Sequence, residues 1–296
     1  MLQPTLEQLA PLTRVERLSY RFGDLASRHS NVVAVVNDSI MRVMIGLCGG
    51  RRLRVHGLSH LARFGAEDSL ILVANHRSFF DFYLVSATLF WHTGLPRRMF
   101  FPVRGTFFYD HPLGPFVNAA MSGMRMFPPF LRASEKEREK EREKERERGA
   151  WNLFSVARCS AELEVPGTIM GLHPEGTRNK GDDPYSLLPA QSGVGKIVLD
   201  AKRAHVVPIF VHGLSNAMGR ELALNWTAPA EHPLDVVFGP EVDLTELRGR
   251  RTRAVDHKRA ANLCLDAVAR LAQAHRDGAL GADVGRAPQA RHSQHA

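Results

Sequence analysis

Residues 70–81 read Leu70-Ile71-Leu72-Val73-Ala74-Asn75-His76-Arg77-Ser78-Phe79-Phe80-Asp81. The first five are continuously apolar, the pattern of a short strand covered on both faces. Polar residues end the run, and an apolar helical stretch follows over about 79–92. Strand, polar turn and helix in succession form the repeating unit of an α/β layer structure. Residues 167–172 and 206–211 look like two more such strands, and 235–239 like a fourth. Further helical stretches fall at 151–163, 193–203 and 255–276. The fold class expected is therefore α/β, with a mostly central β-sheet flanked by helices.

Ahead of this pattern, residues 5–22 and 31–47 read as two amphipathic helices. In the second, Val32, Val33, Val36, Ile40, Val43, Met44 and Leu47 recur at helical spacing, and Gly49-Gly50 ends it. Such faces suit either packing on a core or contact with a membrane. The division expected is 1–50 for these helices, 51–276 for the main domain and 277–296 for a disordered tail rich in Gly, Ala, Arg and His. Residues 134–148 form a charged low-complexity insertion, with Glu at every odd position from 135 to 147. Opposite charges there meet at i,i+3 and like charges at i,i+4, so local support largely cancels. The segment reads as a solvated helix or a disordered insertion.

Across 296 residues, hydrophobic side chains make up 44% and charged ones 24%, an ordinary globular composition. A net charge of +8 favours an anionic partner: nucleic acid, an anionic membrane leaflet or a phosphorylated substrate. The basic residues are scattered or neutralised by adjacent Glu, without the clustered Lys/Arg and interleaved aromatics of a nucleic-acid-binding surface. Cys48, Cys159 and Cys264 are far apart and odd in number, which favours free thiols over a disulfide framework or zinc site. Glu7 and Arg14 interrupt what would have to be the apolar stretch of a signal peptide. No uninterrupted apolar run reaches the about 18 residues of a spanning helix. Asp81 breaks the run 79–91, and Pro115, Asn118, Arg125, Pro128 and Pro129 break the run 113–131.

A histidine with a carboxylate in reach is the usual apparatus for taking a proton from a hydroxyl. The carboxylate holds one tautomer, leaving the other ring nitrogen to face the nucleophile. His76 and Asp81 are five positions apart, so they share no helical face. They meet if His76 sits in the loop and Asp81 in the first turn of the next helix. Ser78-Phe79-Phe80-Asp81 is also a capping-box pattern, which is compatible with that arrangement. A second segment, His173-Pro174-Glu175-Gly176-Thr177-Arg178-Asn179, again follows a predicted strand. Pro and Gly force a turn there, and the Arg178 guanidinium is suited to a phosphate.

Together the two segments resemble the blocks of the lysophospholipid acyltransferase superfamily, which includes the 1-acylglycerol-3-phosphate and glycerol-3-phosphate acyltransferases. Asn75, His76 and Asp81 match its Asn-His-x-x-x-x-Asp block. Pro174, Glu175, Gly176, Thr177 and Arg178 match its Phe-Pro-Glu-Gly-Thr-Arg-Ser block, with His173 and Asn179 differing at the ends. Val206-Val207-Pro208-Ile209 is similar to its hydrophobic block around a proline. The resemblance spans roughly residues 50–240. Its remaining block is matched less fully: Arg104 precedes Gly105-Thr106-Phe107-Phe108, and Pro129 falls where an arginine belongs, with Arg125 and Arg132 as the nearest substitutes.

The resemblance implies an acyltransferase-type domain and an O-acyltransferase of phospholipid biosynthesis. An acyl thioester donor, acyl-CoA or acyl carrier protein, would give its acyl chain to a lipid acceptor such as a lysophospholipid. In that reading His76 and Asp81 are catalytic, and Arg104, Glu175, Gly176, Thr177 and Arg178 bind the acceptor. No metal or other cofactor is expected. An anionic membrane surface, on the cytoplasmic face, is the expected partner, and nucleic acid is not. The rivals are a lipid- or acyl-CoA-binding membrane protein without chemistry and a thioester hydrolase. Gly193-Val194-Gly195-Lys196 fails as a phosphate loop, because Ala190 and Ile197 occupy its first Gly and its Ser/Thr positions. Gly213-Leu214-Ser215-Asn216-Ala217 lacks the last glycine of a nucleophile elbow. The other histidines, His205 and His212 included, read as structural.

Overall fold

The computed structural model describes residues 2–95, 98–104, 113–131, 142–249, 251–280 and 285–286. Its sheet is built from β1 (Leu53–His56), β2 (Leu70–Ala74), β3 (Arg98–Phe100), β6 (Thr168–Leu172), β7 (His205–His212) and β8 (Leu234–Phe238). The order is β3-β6-β2-β7-β8-β1, with the two-residue β9 (Gly285–Arg286) on the β1 edge. The first four run parallel, β8 runs antiparallel to β7, and β1 lies parallel to β8. A two-residue pair, β4 (Val103–Arg104) and β5 (Pro129–Phe130), lies outside this sheet. The four strands read from sequence are the longer ones, buried throughout except at the two ends of β7. The shorter β1, β3, β4, β5 and β9 carry too few residues for a periodic signal.

Alternation along β2 divides the core. Leu70, Leu72 and Ala74 face one layer with Leu84, Val85, Met41 and Ile45, while Ile71 and Val73 face Val198, Phe210 and Cys264. The first layer holds α3 (Ser30–Gly49) and α4 (Asp81–His92); the second holds α7 (Ser192–Asp200) and α10 (Ala254–Arg276). Each fully buried Leu or Ile contributes about 1.5–3 kcal/mol, so this two-sided burial is the main stabilising term. The helix α8 (Met218–Thr227), unannounced in sequence, leans on α3 through Asn225, whose amide donates to Leu47 O at 2.8 Å. A four-residue α9 (Thr245–Arg248) precedes α10. All three cysteines are free, and burial pushes the Cys264 thiol up to about 12.

The N-terminal helices differ from the expected pair. The first is split into α1 (Leu6–Leu9) and α2 (Arg14–Arg28), because Pro11 stops one helix and Thr13 caps the next. Thr13 and Glu16 exchange hydrogen bonds in a capping box, with Thr13 N donating to Glu16 Oε2 at 2.6 Å. The helix α2 then buries its small and polar side, Glu16, Ser19, Tyr20, Gly23, Asp24 and Ser27. Leu18, Phe22 and Leu25 are left exposed. Likewise α3 seals Met41 and Ile45 into the core and exposes Val32, Val35, Val43 and Leu47. Despite Asp38 and Arg42, residues 32–49 are long and apolar enough to cross a membrane by length and composition.

The helix expected over 151–163 begins earlier, as α6 (Arg142–Leu163), so the second half of the charged insertion is helical. Residues 132–141 lie outside the described residues. Between α4 and α6 lies α5 (Gly114–Ser122). On α6, Arg158 is fully buried and joins α2 through Asp24 Oδ1 at 2.8 Å, and its own helix through Glu162 Oε1 at 2.8 Å. The Tyr20 ring packs against Phe127, Trp151 and Phe154 beside this network. Removing Arg158 leaves Asp24 with Arg28 and Glu162 with Arg98 but strips both buried carboxylates of the guanidinium they share, and breaking such a buried pair costs up to about 3–5 kcal/mol. Arg158→Leu is therefore expected to lower the unfolding free energy by about that amount. Urea denaturation measures it, and an unchanged midpoint would show that the network contributes nothing.

Candidate active site

Both sequence blocks leave the carboxyl ends of neighbouring parallel strands, β2 and β6, which is where open α/β sheets place their sites. Asn75 fixes the first exit. Fully buried, it donates to Val211 O at 2.9 Å and accepts from Val211 N at 2.8 Å, continuing the β2–β7 ladder with a side chain. The next residue, His76, is thus anchored at the last rung. Its ring reaches Asp81 at the start of α4, with Nδ1 to Oδ2 at 3.2 Å. The same oxygen accepts the backbone N–H groups of Arg77 and Ser78, both at 2.9 Å.

Asp81 thus performs half of the capping box expected of it, reaching back to the Ser78 N–H. The other half differs. Ser78 Oγ accepts from Phe80 N at 3.1 Å and donates to Ser215 O at 3.0 Å. With Asp81 accepting at Nδ1–H, the lone pair of the neutral imidazole resides on Nε2. Asp81 is 1% exposed, and burial pushes its carboxyl up to about 6.

The second block forms the floor. His173 lies flat under His76, with ring centroids 3.8 Å apart and planes 9° from parallel. Its Nδ1 donates to Ala74 O at 3.0 Å. Burial, together with the adjacent His76, pushes its pKa down to about 3, so it is neutral at physiological pH. His173 replaces the phenylalanine of the family block as another flat, uncharged ring.

Glu175 is 1% exposed. One carboxylate oxygen accepts the His76 N–H at 2.8 Å, and the other accepts the Leu188 N–H at 2.7 Å. Both oxygens are thereby turned toward the backbone, which departs from the expectation that Glu175 contacts the acceptor. Gly176 takes φ +63, and a Cβ there would come within 2.8 Å of Gln191 Cγ. A side chain would be both strained and crowded, so this glycine makes the turn. Thr177 is half-buried, and Arg178 is exposed, with Nη1 donating to Asn216 Oδ1 at 3.3 Å. Asn216 Oδ1 also accepts Phe79 N at 2.7 Å, which ties Arg178 to the start of α4. Asn216 was visible in sequence only inside the loop 213–217, dismissed there as a failed nucleophile elbow.

The backbone of Arg104 ends β4, paired with Phe130; its side chain, like residues 105–112 and 132, lies outside the described residues. Arg125 is buried beside Gly23, Ser27 and Glu162, away from His76, and burial pushes its pKa down to about 10. A cavity of about 350 Å³ opens beside Asp81, lined also by Arg52, Arg77, Arg220, Glu221 and His212. His76, Asp81 and His173 have ligand atoms within 4.8 Å of one another. Their arrangement suits a base better than a metal, because stacked parallel rings aim their in-plane lone pairs past a common point.

A family model described as Acyltransferase matches residues 52–212, from β1 to the end of β7. That is more than half of the 296 residues. The chain belongs to the acyltransferase family. No curated protein matches it closely enough to narrow the activity further. As an acyltransferase it takes an acyl donor and delivers to an acceptor, and the matched span contains both blocks that meet at His76.

The Asp81 value sets a pH expectation. Its folded pKa, about 6, lies above the ordinary 3.8, so the carboxylate gains its proton as pH falls through about 6. A protonated Asp81 no longer holds the His76 tautomer, so the kcat/KM profile of acyl transfer should show an acid limb near pH 6. For this group alone, stability is greatest below pH 3.8 and is lost as pH rises through about 6, the opposite of the activity. A limb that followed unfolding, measured by circular dichroism on the same samples, would refute the assignment to Asp81.

Proposed function

We propose that this acyltransferase moves a fatty acyl chain from acyl-CoA or an acyl carrier protein to the hydroxyl of a lysophospholipid such as 1-acylglycerol 3-phosphate. The observation that carries the reading is the His76 Nδ1 to Asp81 Oδ2 contact at a strand end, with Asp81 also held by two backbone N–H groups. His76 Nε2 takes the proton of the acceptor hydroxyl as its oxygen attacks the thioester carbonyl. The tetrahedral intermediate collapses with loss of the thiol, which receives that proton from the imidazolium, and no acyl-enzyme forms. Asp81 orients His76 and offsets the imidazolium charge. Arg178, exposed and tied to the site through Asn216, is the cation that meets an acceptor phosphate, and the family resemblance adds Arg104 as a second. Glu175 and Gly176 act from beneath, by holding the His76 backbone and the turn. Thr177 belongs to the same acceptor-facing turn.

The test is transfer from labelled acyl-CoA or acyl carrier protein, in detergent or liposomes, to lysophospholipids, glycerol 3-phosphate and non-phosphorylated alcohols. A labelled phospholipid is the expected product. His76→Ala should lower turnover by about 10²–10⁴-fold with an unchanged melting temperature. Arg178→Ala should raise KM for phosphorylated acceptors while sparing kcat. Free fatty acid as the sole product would make the protein a hydrolase. Lipid binding without product from either donor would make it a non-catalytic binder, and wild-type transfer by His76→Ala would remove the mechanism.

The same reading places the protein at the cytoplasmic face of an anionic membrane. Support comes from the inverted α2, whose exposed Leu18, Phe22 and Leu25 alternate with exposed Arg14, Arg17 and Arg21, and from the exposed valines of α3. Apolar side chains enter the headgroup boundary while arginines meet lipid phosphates. Flotation with anionic vesicles should recover the protein, and Leu18→Glu with Phe22→Glu should reduce recovery several-fold at an unchanged melting temperature. Equal recovery of the double variant would exclude this face.

A further inference from the structure

A second cluster of histidines lies on the far side of β7 from His76, and the reaction above makes no use of it. His212 ends β7, and Asp235 is its cross-strand partner on β8. His275 reaches them from the last turn of α10, and His56 from the end of β1. One ligand atom each from His212, Asp235 and His275 lie within 4.8 Å of one another. Four elements distant in sequence thus converge three imidazoles on one buried carboxylate.

The hydrogen bonds are arranged as a metal site's outer partners would be. His56 Nε2 meets Asp235 Oδ1 at 2.9 Å, leaving Oδ2 directed at His275 Nε2, 3.4 Å away. The other His275 nitrogen, Nδ1, is 3.0 Å from the Tyr185 hydroxyl. A ligating histidine characteristically engages its second nitrogen in this way, which fixes the ring and frees the first. Meanwhile His212 Nδ1 is buried with no hydrogen-bond partner among the described residues, as is His56 Nδ1. An orphaned buried nitrogen calls for an explanation, and an ion is one of the few that suffice. The rings of His212 and His275 are tilted by 40°, unlike the parallel pair at His76, so their in-plane lone pairs can converge.

We propose that His212, Asp235 and His275 bind a divalent transition metal of the zinc class, with His56 and Tyr185 as outer partners. Two imidazoles and a carboxylate are borderline-soft and hard donors suited to Zn²⁺. His212 also lines the cavity beside Asp81, which supplies an entry path and room for a water as fourth ligand. The ion clasps α10 to the sheet. It also steadies residues 183–185, where Arg276 pairs with Asp183 and lies over Tyr185. Arg77, next to His76, donates to the carbonyls of Gly181 and Asp183 in the same loop. Metal binding therefore stiffens one wall of the acyltransferase site without touching the reacting atoms.

The experiment uses the untagged full chain, stripped with chelator and titrated with Zn²⁺, and separately with Co²⁺. The expected result is one equivalent bound, a higher melting temperature with Zn²⁺, and the visible bands of low-coordinate Co²⁺. His212→Gln and His275→Gln should each weaken Zn²⁺ binding at least tenfold and abolish the thermal shift, while His76→Gln leaves both intact. Should these variants fail to fold, X-ray absorption on the wild type with Zn²⁺ decides: imidazole and carboxylate at about 2.0–2.1 Å support the site, and sulfur ligation overturns it. No saturable binding, binding lost in His76→Gln, or binding that survives both His212→Gln and His275→Gln would each overturn the proposal.

Discussion

Glu175 accepts the backbone N–H of His76 with one carboxylate oxygen and that of Leu188 with the other. Through that one buried carboxylate, the turn after β6 takes hold of the turn after β2 and of the loop that leads into α7. The His76 carbonyl is caught in return by Asn179 N at 2.7 Å. A histidine at a strand end would otherwise have two soft backbone dihedrals on either side. Here both its N–H and its C=O are fixed by the second block, and its ring lies on His173. The position of Nε2 is therefore set by the sheet register between β2 and β6, and a loop would hold it far less firmly.

The arrangement also explains why one block without the other is uninformative. Asp81 could cap α4 in any protein, and a Pro-Glu-Gly turn could end any strand. Only when β6 lies beside β2 does the Glu175 carboxylate find the His76 N–H. Burial pushes the Glu175 carboxyl up, against the two backbone bonds that draw it down. Its charge is tolerated in the interior because those donors are aimed at it. On this geometry the Glu175 carboxylate is spent on two backbone N–H groups.

The sequence was legible where burial is continuous. Runs such as 70–74 and 206–211 have no polar residue to confuse strand with loop, and β2 and β7 formed there. The His76 and Asp81 pairing was legible because both partners fall within one short segment. What could not be read depends on residues distant in sequence. His173 reads as a mere departure from a family block, although its ring supports His76. Asn216, 138 positions from Ser78, joins the site only through the β7 turn. The sequence left open whether the apolar face of α2 packs on the core or meets a membrane; the face that packs is the one carrying Ser19, Gly23, Asp24 and Ser27, with Arg158 opposite Asp24. The pattern along one helix carries no information about the charge buried on another.

The same limit governs His212. Beside a strand, with no second histidine at ligand spacing, it reads as structural. Its companions arrive from β8, from the end of α10 and from β1, and no local pattern links residues 56, 212, 235 and 275. The β7–β8 antiparallel register supplies Asp235, and the 23-residue length of α10 delivers His275 from the far end of the helix. One sheet thus builds two polar clusters from neighbouring strand ends. At the first, a carboxylate beside stacked parallel rings holds one imidazole by its Nδ1. At the second, a carboxylate lies among rings tilted by 40°. Ring orientation, which only the folded chain defines, is what distinguishes the two clusters.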